Sequence, residues 1–264
     1  MKSFALLRFR HSDLLLQLIR RDVDLKFKGA ILGVLWSLVT PLLTLGIYSI
    51  VFSSFMRAKW PGVDDTADFA LILFPGLILF NFFAECINRA PSLIVVNPNF
   101  VKKVVFPLDL LVWVPIGSAL FNFSLSFVAW MIITWIFHGS LHWTIVLLPI
   151  VVLPLIFVIL GLSWLLAGLG VYVRDIGQIV PVITQALMFL SPVLYPLENV
   201  PKRFVWLIML NPLSLIVEQT RLVMIKGGLP NFGSLLLYTI LGLTICLLGS
   251  RFFHAVRPGF ADVI

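Results

Sequence analysis

Charge is scarce in this 264-residue chain, and so is every motif that would hold a nucleotide. Only 12% of its residues are charged, against about 25% in soluble domains. Hydrophobic residues make up 60%, with a mean hydropathy of +1.07. Lipid, rather than water, is the solvent such a chain needs. No G-x-x-x-x-G-K-[ST] run is present, so nothing here cradles the phosphates of ATP. A G-x-S-x-G elbow and an acid cluster fit for a divalent cation are also missing, and no catalytic constellation emerges. Cys86 and Cys246 both fall within apolar runs and read as small buried hydrophobes, with no disulfide implied. Arg8, Arg10 and His11 interrupt the N-terminal stretch and no small-residue cleavage site follows, so no signal peptide is expected. Two-residue alternation is missing from the apolar runs, which argues against a membrane β-barrel.

What the chain does have is six long apolar runs, at residues 30–55, 69–87, 108–137, 143–173, 176–195 and 232–253. Crossing the roughly 30 Å hydrocarbon core takes about 20 helical residues. The expected fold is therefore all-α and integral to the membrane, with six transmembrane helices. Lys and Arg set the orientation. With the N-terminus inside, only Arg57, Lys59, Lys202, Arg203, Arg221 and Lys226 of the 19 basic residues fall outside. Both termini are thus expected in the cytoplasm. The net charge of +7 follows from this bias along a membrane boundary, a poor arrangement for nucleic acid.

Residues 1–29 read as a cytoplasmic segment carrying an amphipathic helix over 12–28, and residues 30–264 as the membrane domain. Ser12 can cap that helix, with Leu15, Leu18 and Ile19 on its apolar side. A plain membrane anchor is one role for it; the other is that Arg20, Arg21, Lys26 and Lys28 meet an anionic lipid headgroup. Residues 197–228 resist insertion as a seventh span. The dozen Leu, Ile, Val and Phe residues of 204–225 favour insertion by roughly 5 kcal/mol, which Glu218 and Arg221 cancel at about 3 kcal/mol each. Two short helices, 202–210 and 212–225, are expected instead, forming a re-entrant hairpin on the outer side with Glu218 and Arg221 paired. That hairpin fits either a structural cap or the exit of a pathway.

The loop 95–107 carries a short element with Phe100, Val101, Val104 and Val105 at helical spacing, which predicts an apolar side facing the cytosol. A protein partner or lipid headgroups would cover it. Glu85 is an intramembrane carboxylate with Arg89 four residues on, and a structural ion pair is expected rather than a proton relay. His138 and His142 are spaced like metal ligands but have no acidic or Cys companion in sequence, so no metal site is expected.

Several blocks together resemble the permeases of type-2 ABC exporters. Arg21-Asp22, Lys26-Phe27-Lys28, Gly33-Val34-Leu35-Trp36 and Pro41 look like their approach to the first span, and Asn97 to Phe106-Pro107 is similar to their coupling loop. Arg174-Asp175-Ile176, Ser191-Pro192-Val193-Leu194-Tyr195-Pro196, Asn211-Pro212-Leu213 and the ending Phe260-Ala261-Asp262 extend the likeness over nearly the whole chain. Within the family the resemblance is greatest to permeases for O-antigen and related surface polysaccharides. It implies a homodimer in the bacterial inner membrane, bound to two copies of a separate ABC ATPase that carries ATP and Mg, with no cofactor on this chain. Asn97, Asn99, Phe100, Val101, Lys102, Lys103, Val104 and Phe106 would contact the ATPase. The cargo would be a polysaccharide on polyprenyl pyrophosphate, moved to the outer side.

For such a cargo, aromatic rings offer faces on which sugar C–H groups pack without tight holding. Tyr48, Phe52 and Phe55 on one face of the first span, Phe189 and Tyr195 on the fifth, and Trp206 in the hairpin are the candidates. Packing between helices and at the membrane interface uses aromatics equally. A permease for teichoic acid, lipid or drug would share the architecture. A membrane-embedded glycosyl- or acyltransferase would need a convergent acid–base pair, and an ion-driven transporter more intramembrane charge and internal repeats.

Overall fold

A computed structural model describes residues 12–51, 66–102 and 106–263, and every element in them is helical. In chain order these are α1 (Ser12–Phe27), α2 (Trp36–Ser49), α3 (Thr66–Arg89), α4 (Pro98–Lys102), α5 (Asp109–His138) and α6 (Leu148–Tyr172). There follow α7 (Ile176–Phe189), α8 (Lys202–Met209), α9 (Pro212–Met224), α10 (Phe232–Val256) and α11 (Phe260–Val263). Phe52, Phe55, Lys103, Val104 and Val105 lie outside the described residues, as does the side chain of Lys102.

Four helical stretches among the described residues are long and apolar enough to cross a membrane unaided: Ala67–Ser92, Asp109–His138, Trp143–Tyr172 and Phe232–Val263. The remaining two expected spans are shorter apolar helices, Gly33–Ser49 and Ile176–Phe189. The fifth expected span thus stops six residues early. Pro192 lacks a backbone N–H and disfavours helical geometry at Ser191, so the chain turns there. The break expected at Asn211-Pro212 is present, and α8 and α9 meet across it at 96°. Asn211 makes the corner: its Oδ1 accepts the Leu213 N–H at 2.9 Å, and its Nδ2 donates to the Leu187 and Leu190 carbonyls at 2.8 and 3.1 Å. One side chain caps the start of α9 and the end of α7 together.

α3 is the hub, packing on α2, α5, α6, α7 and α9. Its Leu73, Phe74, Leu77, Leu79 and Phe83 are almost fully buried, as suits a helix that is apolar all round. Pro75 in its middle cannot donate to the Leu71 carbonyl four residues back. Trp130 of α5 supplies the missing donor, its indole Nε1 standing 3.0 Å from that oxygen. A proline break in one helix is thereby turned into a bond to its neighbour.

The most extensive helix pairing joins α6 to α10, and glycine makes it possible. A Cβ at Gly161 would lie 2.5 Å from the Ile245 carbonyl, and one at Gly249 would run into the Gly161 backbone. Between helices in lipid, such close approach replaces the hydrophobic drive that water provides.

The elements collect at two ends. α11 packs on α4 and α6, and Tyr172 Oη donates to the Val256 carbonyl at 2.8 Å. At the opposite end, Thr144 Oγ1 donates to the Val223 carbonyl at 2.6 Å, tying the α5–α6 junction to α9. Gly249→Leu should separate α6 from α10 and cost about 1–3 kcal/mol or more. Unfolding of the detergent-solubilised protein in a denaturant titration measures it, and a wild-type midpoint would contradict the close-packed interface.

Candidate functional site

At the α1 end, two ion pairs hold α1 against the last turns of α3. Arg89 grips Asp22 with both guanidinium nitrogens, at 2.9 and 2.5 Å, the two-point geometry that makes arginine–carboxylate pairs specific. Glu85 Oε1 takes Lys26 Nζ at 3.0 Å, and its Oε2 accepts from Asn122 Nδ2 of α5 at 3.0 Å. The expected Glu85–Arg89 pair exists but is the loosest contact of the set, at 3.8 Å. Sequence spacing pointed to the local partner and missed Asp22, Lys26 and Asn122, which only folding brings near. The one available signal was that Asn122 is a carboxamide inside a long, mostly apolar run.

The same docking seats α1 on the helix bundle. Ile19 fills the space left by Gly117 of α5, where any Cβ would collide with it. Lys26 is engaged by Glu85, while Arg20, Arg21, Asp24 and Lys28 are exposed around an open cleft on the other side of α1.

Just beyond Arg89, a tight turn over Ala90–Ser92 leads into α4. Its Pro91 carbonyl lies against Gly170 of α6, closely enough that no side chain fits there. Asn97 braces the loop by donating to the Leu93 carbonyl at 2.9 Å. The expectation of a bare apolar side needs correcting here. Phe100 and Val101 are half-buried and pack against the core, with the Phe100 and Phe106 rings 4.3 Å apart. Among the described residues of the loop, Val96, 71% exposed, and Asn99 face outward. A groove of about 390 Å³ runs from Leu18 and Arg21 of α1 to Asn97 and Phe100.

At the opposite end, Arg221 is only 3% exposed. Besides Glu218 at 3.3 Å it donates to the carbonyls of Ile72 at 3.2 Å and Val193 at 2.7 Å, and to that of Pro192. Gly76 makes the room, since a Cβ there would stand 3.1 Å from Arg221 Nη2 and 3.3 Å from Val193 Cα. The expected Glu218–Arg221 pair is therefore one part of a clamp joining α3, α9 and the turn after α7. His138 has an acidic companion after all, Asp68 Oδ1 at 3.1 Å from its Nε2. No group of three potential metal ligands forms among the described residues.

The aromatic candidates are scattered. Tyr48 is half-buried against the core, and Trp206 is 63% exposed on α8. Phe189 and Tyr195 do come together, with Tyr195 Oη donating to the Phe189 carbonyl at 2.7 Å.

The sequence model of ABC-2 type transporters matches residues 13–225, most of the chain. The protein belongs to the ABC-2 type transporter family. It is 26% identical over 258 residues to the O-antigen export system permease protein RfbA of Klebsiella pneumoniae, covering 96% of this chain and 95% of that one. The RfbA of Myxococcus xanthus is 27% identical over 97% of both chains. The polysialic acid transport protein KpsM of Escherichia coli is 25% identical over 80% of each. As an ABC-2 type transporter chain it is a multi-pass membrane protein. The matched region takes in α1, the α4 loop and the α9 clamp, whereas α10 and α11 lie beyond it.

Two consequences can be measured on this ABC-2 chain. Arg221→Met strips donors from three carbonyls, at about 1–3 kcal/mol each, so thermal melting in detergent should show a loss of at least about 3 kcal/mol, with Arg221→Lys recovering part. Arg89→Gln removes a partly exposed pair worth roughly 1 kcal/mol. Amide exchange should then quicken in α1 while α3 and α6 stay protected.

Proposed function

We propose that this chain is the permease subunit of an ATP-driven exporter that carries a polyprenyl-pyrophosphate-linked, O-antigen-like polysaccharide from the cytoplasmic to the outer side of the bacterial inner membrane. The likeness to two permeases named for O-antigen export, along 95–97% of each chain, carries this reading. A capsule-type cargo has weaker support, because the polysialic acid protein matches over 80% of each chain.

In this reading α2 and α7 complete six membrane crossings together with the four longer helices. The bent α8–α9 pair remains on the outer side and both termini face the cytoplasm, as the Lys and Arg distribution favours. Two copies form the conduit, and two copies of a separate ABC ATPase supply the work, carrying ATP and Mg. The α4 loop meets the ATPase through Asn97, Asn99 and the basic pair Lys102–Lys103. Its position supports that role: the turn between α3 and α4 is wedged on α6 through Pro91 at Gly170, α4 packs on α11, and the loop neighbours α1 across the groove. Movement at the loop would shift the hub helix directly rather than flex a free strap. Arg20, Arg21 and Lys28 present positive charge for the pyrophosphate. Tyr48, Phe52, Phe55, Phe189, Tyr195 and Trp206 act as weak platforms for the glycan, each loose enough for it to slide.

Deleting the gene should abolish surface polysaccharide and leave lipid-linked glycan inside the cell, with restoration by the wild-type gene. Unchanged surface glycan on immunoblots would refute the reading. Combined Tyr48→Ala and Phe52→Ala should reduce surface glycan while the ATPase still co-purifies, and normal glycan would remove these two from the pathway. Arg20→Gln with Arg21→Gln should weaken binding of undecaprenyl pyrophosphate roughly tenfold, about 1.4 kcal/mol.

A further inference from the structure

Beside the α1–α3–α5 ion pairs lies a cavity of about 340 Å³, within the size range of small-ligand sites. Its polar lining has a regular origin. Asn81, Glu85 and Asn88 follow one another at i, i+4 and i+7 along α3. Asn122 and Ser126 do so at i and i+4 along α5, and Thr40 and Thr44 along α2. Side chains at these spacings share a helix face. Three otherwise apolar helices thus turn their polar stripes toward one space. Such groups are costly in lipid, and they persist where they line a cavity or a functional site.

The chemistry of the lining narrows the occupant. Glu85 is balanced by Lys26, and Asp22 next to it by Arg89. The wall therefore carries no excess charge to draw in an anion or a cation. Asn81 and Asn88 are exposed carboxamides, each offering donors and an acceptor. Asn122 Oδ1 is a buried acceptor with no partner. Trp36, Phe82 and Phe123 supply apolar faces between these polar groups. Hydroxyl-rich, uncharged and flat-faced describes a neutral sugar ring. The basic cleft lies on the other side of the same helix end, Lys26 and Phe27 lining the cavity while the flanking Leu25 and Lys28 line the cleft.

We infer that this cavity is a neutral-sugar subsite, holding the sugars next to the carrier lipid through Asn81, Asn88 and Asn122 while the pyrophosphate stays on the basic cleft outside. The inference rests on the polysaccharide-exporter reading and adds to it where the first sugars are recognised. A carrier lipid without sugar would leave the cavity unfilled, so the permease would tell loaded carrier from spent carrier.

The test uses the full permease with its partner ATPase in nanodiscs and two probes. One is undecaprenyl-pyrophosphate-linked glycan extracted from cells that make the protein; the other is undecaprenyl pyrophosphate alone. The wild type should bind the first about tenfold more tightly, the worth of two ordinary hydrogen bonds. Asn81→Ala with Asn88→Ala should narrow that gap to about twofold and leave affinity for undecaprenyl pyrophosphate unchanged. Thr40→Val, which keeps shape and removes a hydroxyl, should fall between the two. A gap absent from the wild type, or intact in the double variant, overturns the subsite. Gene deletion separates the two claims: loss of surface glycan without a binding gap sinks the cavity alone, and intact surface glycan sinks the exporter reading whatever the cavity binds.

Discussion

In hydrocarbon a polar group without an internal partner has no water to fall back on, and much of this structure follows from that single condition. Pro75 leaves the Leu71 carbonyl without a donor inside the hub helix, and the Trp130 indole comes from α5 to meet it. The carbonyls exposed where α7 ends are taken by Asn211, and those of the next turn by Arg221. Each repair is made by a side chain far along the chain. Satisfying the backbone and assembling the bundle are therefore one process.

Glycine does the complementary work. Where α6 meets α10, and where the Pro91 turn meets α6, backbones touch at Gly161, Gly249 and Gly170. Interiors packed this closely move as units rather than deforming. The Pro91 turn that leads to α4 sits on α6 and follows directly from α3, so a push on it reaches α3 and α6 together. The ion pairs from α3 to α1 extend the same body to the amphipathic helix. The α1 end is thereby stiffly connected to the rest of the bundle.

Charge is placed at the two ends, with the apolar helices between. The Arg89–Asp22 and Lys26–Glu85 pairs lie at the α1 end, and the Arg221 clamp at the other. In the exporter proposed above, such a division would leave the stretch between the ends to weak apolar and hydroxyl contacts, along which a sugar chain could advance.

Composition and run length alone determined that this chain lives in lipid, that it is helical, roughly where its four longest helices run, and that Asn211-Pro212 divides the segment before α10. Those features follow from local chemistry: apolar length, Pro, and the placement of Lys and Arg. The Glu218–Arg221 and Glu85–Arg89 pairs were legible because helical spacing makes them neighbours. Local spacing could not show that Glu85 belongs chiefly to Lys26 and Asn122, nor that Arg221 spans three elements, since those partners lie 28 to 149 residues away in sequence. Phe100 and Val101 read as a bare apolar side until the core covered them. Which polar residues share one cavity, and which helix backbones touch, was decided only by tertiary packing, because a helix face has no meaning until another helix lies against it.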